Sequence, residues 1–442
     1  MLQIKGERIK KTYLSVSMEL FLLSGILLVI NTHKQSSYLL YGTMISLFIA
    51  LLILIGMSIS WMITNHLSKG IEYAKYHAKI LKQLERELFD AGYYVERTIF
   101  NKKCAVIPHI DITLSDDLQS GQIRIRNSIK LDKRLEELPI SSALPKEYIL
   151  TKSYIADDCN DYIYEFELYH LEQLTFSSLE QLLQYETDIG EYDIFLDSRH
   201  VVPIFHTLII GQTGSGKSYC LYNFILQMLT KSQPYELYIA DPKHSGLYVL
   251  GKKINPEYAA SSVEEIIGLL KIFQSRMEER KQEFSQKLLL KLDSDFKDFD
   301  LAPIFLIIDE YSSFRASLTR YDKKTRDFAD EVIGNVVREG RQLGCFCIIA
   351  QQQSNATNLP TEIRENIPFK IILGMAERQT YMTALGVYPD NAKRHFNRGQ
   401  GILVYPQIAT PENPAVTSVA TLDFDILKAV EKILDSKNVK GD

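Results

Sequence analysis

A phosphate-loop α/β core with a mostly parallel sheet, preceded by a small α+β domain and two N-terminal transmembrane helices, is the architecture this 442-residue sequence predicts. Three observations predict it. Residues 211–218 read Gly-Gln-Thr-Gly-Ser-Gly-Lys-Ser, placed between an apolar run and an amphipathic helical pattern. From about 201 to 436 strand-like and helix-like patterns alternate, as a parallel sheet with crossover helices requires. Near the start, Tyr38–Ile63 is 26 residues long and carries no charge.

The phosphate loop fixes the most chemistry. Leu208-Ile209-Ile210 feed it, and Leu221, Phe224, Ile225, Met228 and Leu229 follow at helical spacing. A strand, a glycine loop and a helix N-terminus together form an anion site, with backbone N–H groups converging on phosphate oxygens and the helix dipole adding positive charge. Gly211, Gln212, Thr213, Gly214, Ser215, Gly216, Lys217 and Ser218 are therefore expected to cradle ATP. Lys217 would reach the β- and γ-phosphates. Ser218 would ligate the Mg²⁺ that bridges them.

Composition narrows the partners. The formal net charge is −5, so no whole-protein basic field exists and any grip on nucleic acid must come from local patches. Cys104, Cys159, Cys220, Cys345 and Cys347 include no C-x-x-C pair, which fits a reducing compartment rather than a disulfide framework. Cys345 and Cys347 alternate in an apolar run and read as core residues of a strand.

The amino terminus reads as a membrane hairpin. Tyr38–Ile63 is long enough to cross a bilayer with some tilt, and 13–30 forms a shorter span with one acid, Glu19. A signal peptide is the rival reading of 13–30, but no small-x-small cleavage site follows, and a second span begins after seven residues. Lys5, Arg8, Lys10 and Lys11 precede the hairpin, while His66, Lys69, Lys75, Lys79 and Lys82 follow it. The loop between holds only His33 and Lys34. Positive-inside bias places both termini and the phosphate loop in the cytoplasm of a multi-pass cell-membrane protein.

Residues 69–91 read as a helix with Ile71, Ala74, His77, Ile80, Leu81, Leu84 and Leu88 on one face. Short strands are expected near 105–107, 123–125, 148–150 and 162–168. The resulting division is a membrane anchor at 1–65, a juxtamembrane helix and α+β adaptor at 66–195, and a motor at 196–442.

Within the motor, strands are expected at 207–210, 236–240, 304–308, 346–350, 369–374 and 401–404. Helices are expected at 217–230, 262–290, 323–342 and 423–435. The strand Ile304–Ile308 ends in Asp309 and Glu310. Beside a phosphate loop, Asp309 is placed for the metal shell and Glu310 for orienting the attacking water. A third apolar strand runs into Gln351, Gln352 and Gln353. Gln352 fits a sensor of the γ-phosphate and equally a polar loop start.

The sequence from His206 to Ser218 resembles the phosphate loop of the FtsK/SpoIIIE family of DNA translocases. Ala240-Asp241-Pro242-Lys243, Met277-Glu278-Glu279-Arg280, Gly340-Arg341-Gln342-Leu343-Gly344 leading into Ala350-Gln351-Gln352, Asn366-Ile367-Pro368 and Gly399-Gln400-Gly401 match in the same order. The resemblance spans about 195–436. It implies a RecA-like core, a homo-hexameric ring and non-sequence-specific DNA driven through the pore by ATP hydrolysis. An arginine from the neighbouring subunit would then complete each site. Arg338, Arg341 and Arg378 are candidates, with Arg341 favoured. Each also fits an exposed, ion-paired arginine. Where the family often has Gln-Arg-Pro, this chain has Gln352-Gln353-Ser354.

DNA phosphates would meet pore-facing loops. Arg315, Arg320, Lys323, Lys324 and Arg326 cluster after the acidic pair, a pattern that also fits a solvated helix start. The loop 354–366 is a second candidate.

The chain stops near the last motor helix, with no winged-helix module after it, and carries two spans and a short adaptor. This layout resembles TcpA-type conjugative coupling proteins of Gram-positive mobile elements. The resemblance implies delivery of DNA to a type IV secretion channel, with a relaxase or relaxosome and channel proteins as partners. Three alternatives remain. One is a type VII protein-secretion ATPase, usually built from several tandem modules. The second is a translocase that partitions chromosomal or plasmid DNA. The third is a membrane-anchored nucleotide switch, which has no need of Glu310.

Overall fold

The phosphate-loop strand, Thr207–Gly211, lies inside an eight-stranded sheet with every residue buried. This computed structural model describes residues 3–99, 102–127, 140–168, 173–352, 359–406 and 408–438. From one edge the strands run Ala259–Ala260, Glu236–Ala240, Ile304–Ile308, Cys345–Gln351, Thr207–Gly211, Phe369–Leu373, Gln400–Val404 and Ala415–Ser418. The first six are parallel, Gln400–Val404 runs against them, and Ala415–Ser418, antiparallel to that strand, again runs in their direction. The fully apolar sequences Ile304–Ile308 and Leu208–Ile210 follow from this placement, because a parallel sheet covered on both faces has no solvated side. Cys345 and Cys347 are buried in the core.

Helices follow the expected pattern closely: Lys217–Thr230, Val263–Leu288 and Lys323–Leu343. Ser262 and Glu265 start the long helix with reciprocal capping bonds, and Asp322 caps the next through Thr325. The last helix, Ile426–Asn438, begins and ends three residues later than the pattern suggests. Gly246–Ile254, Tyr311–Leu318 and Arg378–Leu385 are short helices that periodicity did not reveal.

The chain divides into two compact units, 1–170 and 171–442. The sequence boundary at 195/196 therefore falls later than the structural one. The reason is packing: Phe176, Leu179, Leu182, Ile194 and Phe195 join the apolar core that also holds Phe224, Phe305 and Phe369. Asp197 ties this lead-in segment to the last sheet strand. Its carboxylate accepts from the N–H groups of Arg199, His200 and Ser418 and from Thr417 Oγ1, at 2.9–3.0 Å.

In the first unit, the helix Ile71–Asp90 lays Tyr73, Ile80, Leu84 and Leu88 against a four-stranded antiparallel sheet. The strands are Ile110–Leu114, Ser120–Arg126, Asp161–Leu168 and Tyr148–Ile155, in that spatial order. Ile71, expected on the apolar face, is exposed. Lys5–Lys34 and Ser37–Thr64 are two helices long and apolar enough to cross a membrane. Ser17, Ser24, Thr43, Ser46 and Ala50 are the buried residues of the pair, and Ser17 Oγ donates to the Ala50 carbonyl at 3.3 Å. Small and hydroxylated contacts of this kind suit helix packing in lipid, where apolar side chains gain nothing by leaving the hydrocarbon.

Candidate nucleotide-binding site

The site lies at the carboxyl ends of the parallel strands, where open α/β sheets bind ligands. Positive backbone angles shape the loop: φ is +86° at Gly214 and +103° at Gly216. A Cβ on Gly216 would stand 2.9 Å from the backbone of Gly399, so this position requires glycine for space as well as for conformation. Gly399 N–H donates to the Ser215 carbonyl at 2.7 Å, and Gly399 itself has φ of +79°. The Gly-Gln-Gly match at 399–401 thus braces the phosphate loop from two strands away, at the same end of the sheet.

Lys217 opens its helix and is buried. Its Nζ donates to Asp309 Oδ1 at 2.6 Å and to Glu310 Oε1 at 2.5 Å. Both acids are buried as well. Burial pushes the Asp309 carboxyl above its ordinary value, against the opposing charge of Lys217. Asp309 Oδ1 also accepts from Glu310 N–H at 2.9 Å, and no hydrogen bond to Oδ2 occurs among the described residues. Glu310 sits at φ +48° where strand turns to helix. A non-glycine residue in that region is held there by its surroundings.

The glutamine strand separates the phosphate-loop strand from the acid strand, a neighbour order that sequence does not reveal. Gln351 pairs in register with Ile210 and is fully buried. Gln352 is half-buried, and its Nε2 donates to Thr213 Oγ1 at 3.3 Å. A strand-end amide therefore touches the loop itself. Gln353 and Ser354, with the rest of 353–358, lie outside the described residues.

The arginines fall elsewhere. Arg341 stands at the opposite end of the strands, its guanidinium 4.6 Å from the Phe205 ring centroid. It is out of reach of its own phosphate loop. Arg338 pairs with Glu362 at 2.5 Å, and Arg378 lies over Tyr388. The basic cluster divides: Arg315 is committed to Asp330, whereas Arg320, Lys323 and Lys324 are exposed and form no ion pair with a described carboxylate. Arg280 of the Met-Glu-Glu-Arg match is structural. It is 3% exposed and donates to the carbonyls of Leu343 and Ala302 at 3.1 and 3.0 Å.

Two site residues escaped the sequence reading. Arg398 lies over the Tyr219 ring, 5.1 Å from its centroid, beside the loop. Lys243 places its Nζ 3.1 Å from Glu310 Oε2. Its place in the Asp-Pro-Lys match was the only available signal.

A model of the FtsK/SpoIIIE family matches residues 185–300. The FtsK domain-containing protein YdcQ of Bacillus subtilis is 29% identical over 205 residues, covering 46% of this chain and 41% of that protein. DNA translocase FtsK of Staphylococcus aureus is 28% identical over 198 residues, covering 41% of this chain and 24% of that protein. This chain therefore aligns with less than half the length of either relative. Among solved structures, the monomer form of the pCW3 conjugation coupling protein TcpA with ATPγS superposes with a TM-score of 0.50 at 17% identity. That likeness is one of fold, and it spans 81% of this chain and 99% of the other. Residues 185–300, which hold the phosphate loop, are thus similar to the FtsK/SpoIIIE family, and the strand order, the loop and the paired acids after it give the fold of a phosphate-loop ATPase.

Proposed function

We propose that this chain is a membrane-anchored, ATP-driven DNA translocase. It acts as a coupling protein that delivers DNA to a conjugative type IV secretion channel. The observation that carries the reading is the convergence of Lys217, Asp309 and Glu310 at 2.5–2.6 Å beneath an FtsK/SpoIIIE-type loop. A site that only switches on nucleotide binding has no need of a second buried acid.

In this reading the loop N–H groups and Lys217 hold the phosphates of ATP, and Glu310 orients the attacking water. Ser218 and Asp309 would hold Mg²⁺. A hydroxyl and a carboxylate with a free oxygen are the hard donors that ion takes while keeping several waters. When bound, magnesium would supply charge neutralisation to the phosphates. Gln352, bonded to Thr213, relays the state of the loop to its strand. Because Arg341 cannot reach its own loop, its catalytic role is in a neighbouring subunit of a homo-hexamer. Arg320, Lys323 and Lys324 grip DNA phosphates without reading bases.

The conjugative part rests on architecture. Two apolar N-terminal helices precede a fold like that of a conjugation coupling protein across nearly all of that protein's length. Both termini and the motor face the cytoplasm, and relaxase and channel proteins are the partners. Transfer frequency of the mobile element from a donor strain carrying Glu310→Gln tests this. Loss of transfer with normal protein levels is expected, and unchanged transfer would overturn the conjugative role.

A further inference from the structure

We propose that Lys243 is a positioning residue for Glu310, the second of two lysines that share this carboxylate. The inference rests on the hydrolytic reading of Glu310 given above. Glu310 has one oxygen on each lysine: Oε1 at 2.5 Å from Lys217 Nζ, and Oε2 at 3.1 Å from Lys243 Nζ. The two cations have different obligations. Lys217 is buried, belongs to the phosphate loop, and must turn to phosphate oxygens when ATP arrives. Lys243 comes from the loop after the Glu236–Ala240 strand and is 43% exposed.

The Lys243 loop is built to stay in place. Asp241 is fully buried, and its Oδ1 accepts from Lys243 N–H at 3.0 Å. Its Oδ2 accepts from Ser245 N–H at 2.8 Å, Ser245 Oγ at 2.6 Å and Tyr248 N–H at 3.2 Å. His244 N–H closes the turn on the Asp241 carbonyl at 3.0 Å, with His244 at φ +51°. The edge of the fold therefore presents Lys243 to Glu310 on a fixed frame. Asp309 N–H donates to the Ala240 carbonyl at 2.9 Å, which keeps the two strand ends in step.

These contacts give the Asp-Pro-Lys match a physical account. Asp241 folds the turn, and Lys243 holds Oε2. When Lys217 leaves for the phosphates, Oε1 becomes free to accept from a water while Oε2 remains anchored. Without Lys243 the carboxylate keeps its backbone position but loses the contact that fixes its rotamer. The cost falls on orienting the water, not on binding ATP.

The test is steady-state ATP hydrolysis by the full chain in lipid nanodiscs, with Lys243→Ala, Lys243→Arg, Glu310→Gln and Lys217→Ala compared with wild type. We expect Lys243→Ala to lower kcat about 10- to 100-fold with KM within about twofold, and the guanidinium of Lys243→Arg to restore most of it. Two results overturn the inference. One is Lys243→Ala turning over at or above the wild-type rate while Glu310→Gln is inactive. The other is Lys243→Arg being as slow as Lys243→Ala. If Glu310→Gln and Lys217→Ala also hydrolyse normally, the reading of the whole site fails instead. Unchanged thermal unfolding of Lys243→Ala is expected, because a half-exposed side chain is not part of the core.

Discussion

The amide of Gly399 donates to the carbonyl of Ser215 at 2.7 Å, so the phosphate loop is clamped by a turn 184 residues later in the chain. Gly216 stands against the same turn, with room for no more than a hydrogen at its α-carbon. Gly216→Ala must therefore adopt an unfavourable positive φ and displace backbone. The expected cost is about 1–3 kcal/mol of stability, with loss of nucleotide binding. Thermal unfolding and titration with a fluorescent ATP analogue check both.

Gln352 is half-buried and, among the described residues, hydrogen-bonds the loop at Thr213, so Gln352→Ala should change stability by less than about 0.5 kcal/mol. If the amide relays the state of the loop, kcat should fall about tenfold with KM little changed. Equal kcat in the variant would identify Gln352 as the start of a polar loop.

Asp197 sets a pH signature. Burial alone would push its carboxyl up. The hydrogen bond and charge of His200, with N–H donors from Ser418 and Arg199, outweigh burial and hold it well below the usual carboxylate range. A depressed value contributes stability that is complete above the ordinary carboxylate value of about 4 and is lost as pH falls through the folded value. Asp197→Ala should cost about 2–4 kcal/mol at neutral pH, because it orphans buried donors. The gap from wild type should close only in strongly acid solution. Denaturant unfolding at pH 7 and pH 3 measures it.

The hairpin has its own test. A cysteine in place of Gln35, at the turn between the apolar helices, should react with an impermeant maleimide in intact cells. One at Lys437, in the last helix, should react only after lysis. The reverse pattern would invert the topology.

Much of the site was legible because its parts are local. The loop 211–218 and the pair Asp309-Glu310 are contiguous strings whose chemistry follows from spacing, and the helix Lys217–Thr230 matches its apolar period. What sequence could not supply is direct side-chain contact across long separations. Lys217 and Glu310 are 93 residues apart, and nothing in either segment announces that they touch. Lys243 was visible as part of a motif but not as a partner of Glu310. The helix Gly246–Ile254 was obscured by its glycines and its short span. The lead-in strand and helix at 175–186 read as adaptor because their apolar residues are few, yet those few complete the motor core.

The most direct test of the central claim is ATP hydrolysis by the purified full chain in nanodiscs, with and without DNA. The account predicts turnover that rises on adding DNA and disappears in Lys217→Ala and Glu310→Gln. Hydrolysis that ignores DNA but responds to a secreted polypeptide, or that survives both substitutions, would contradict it.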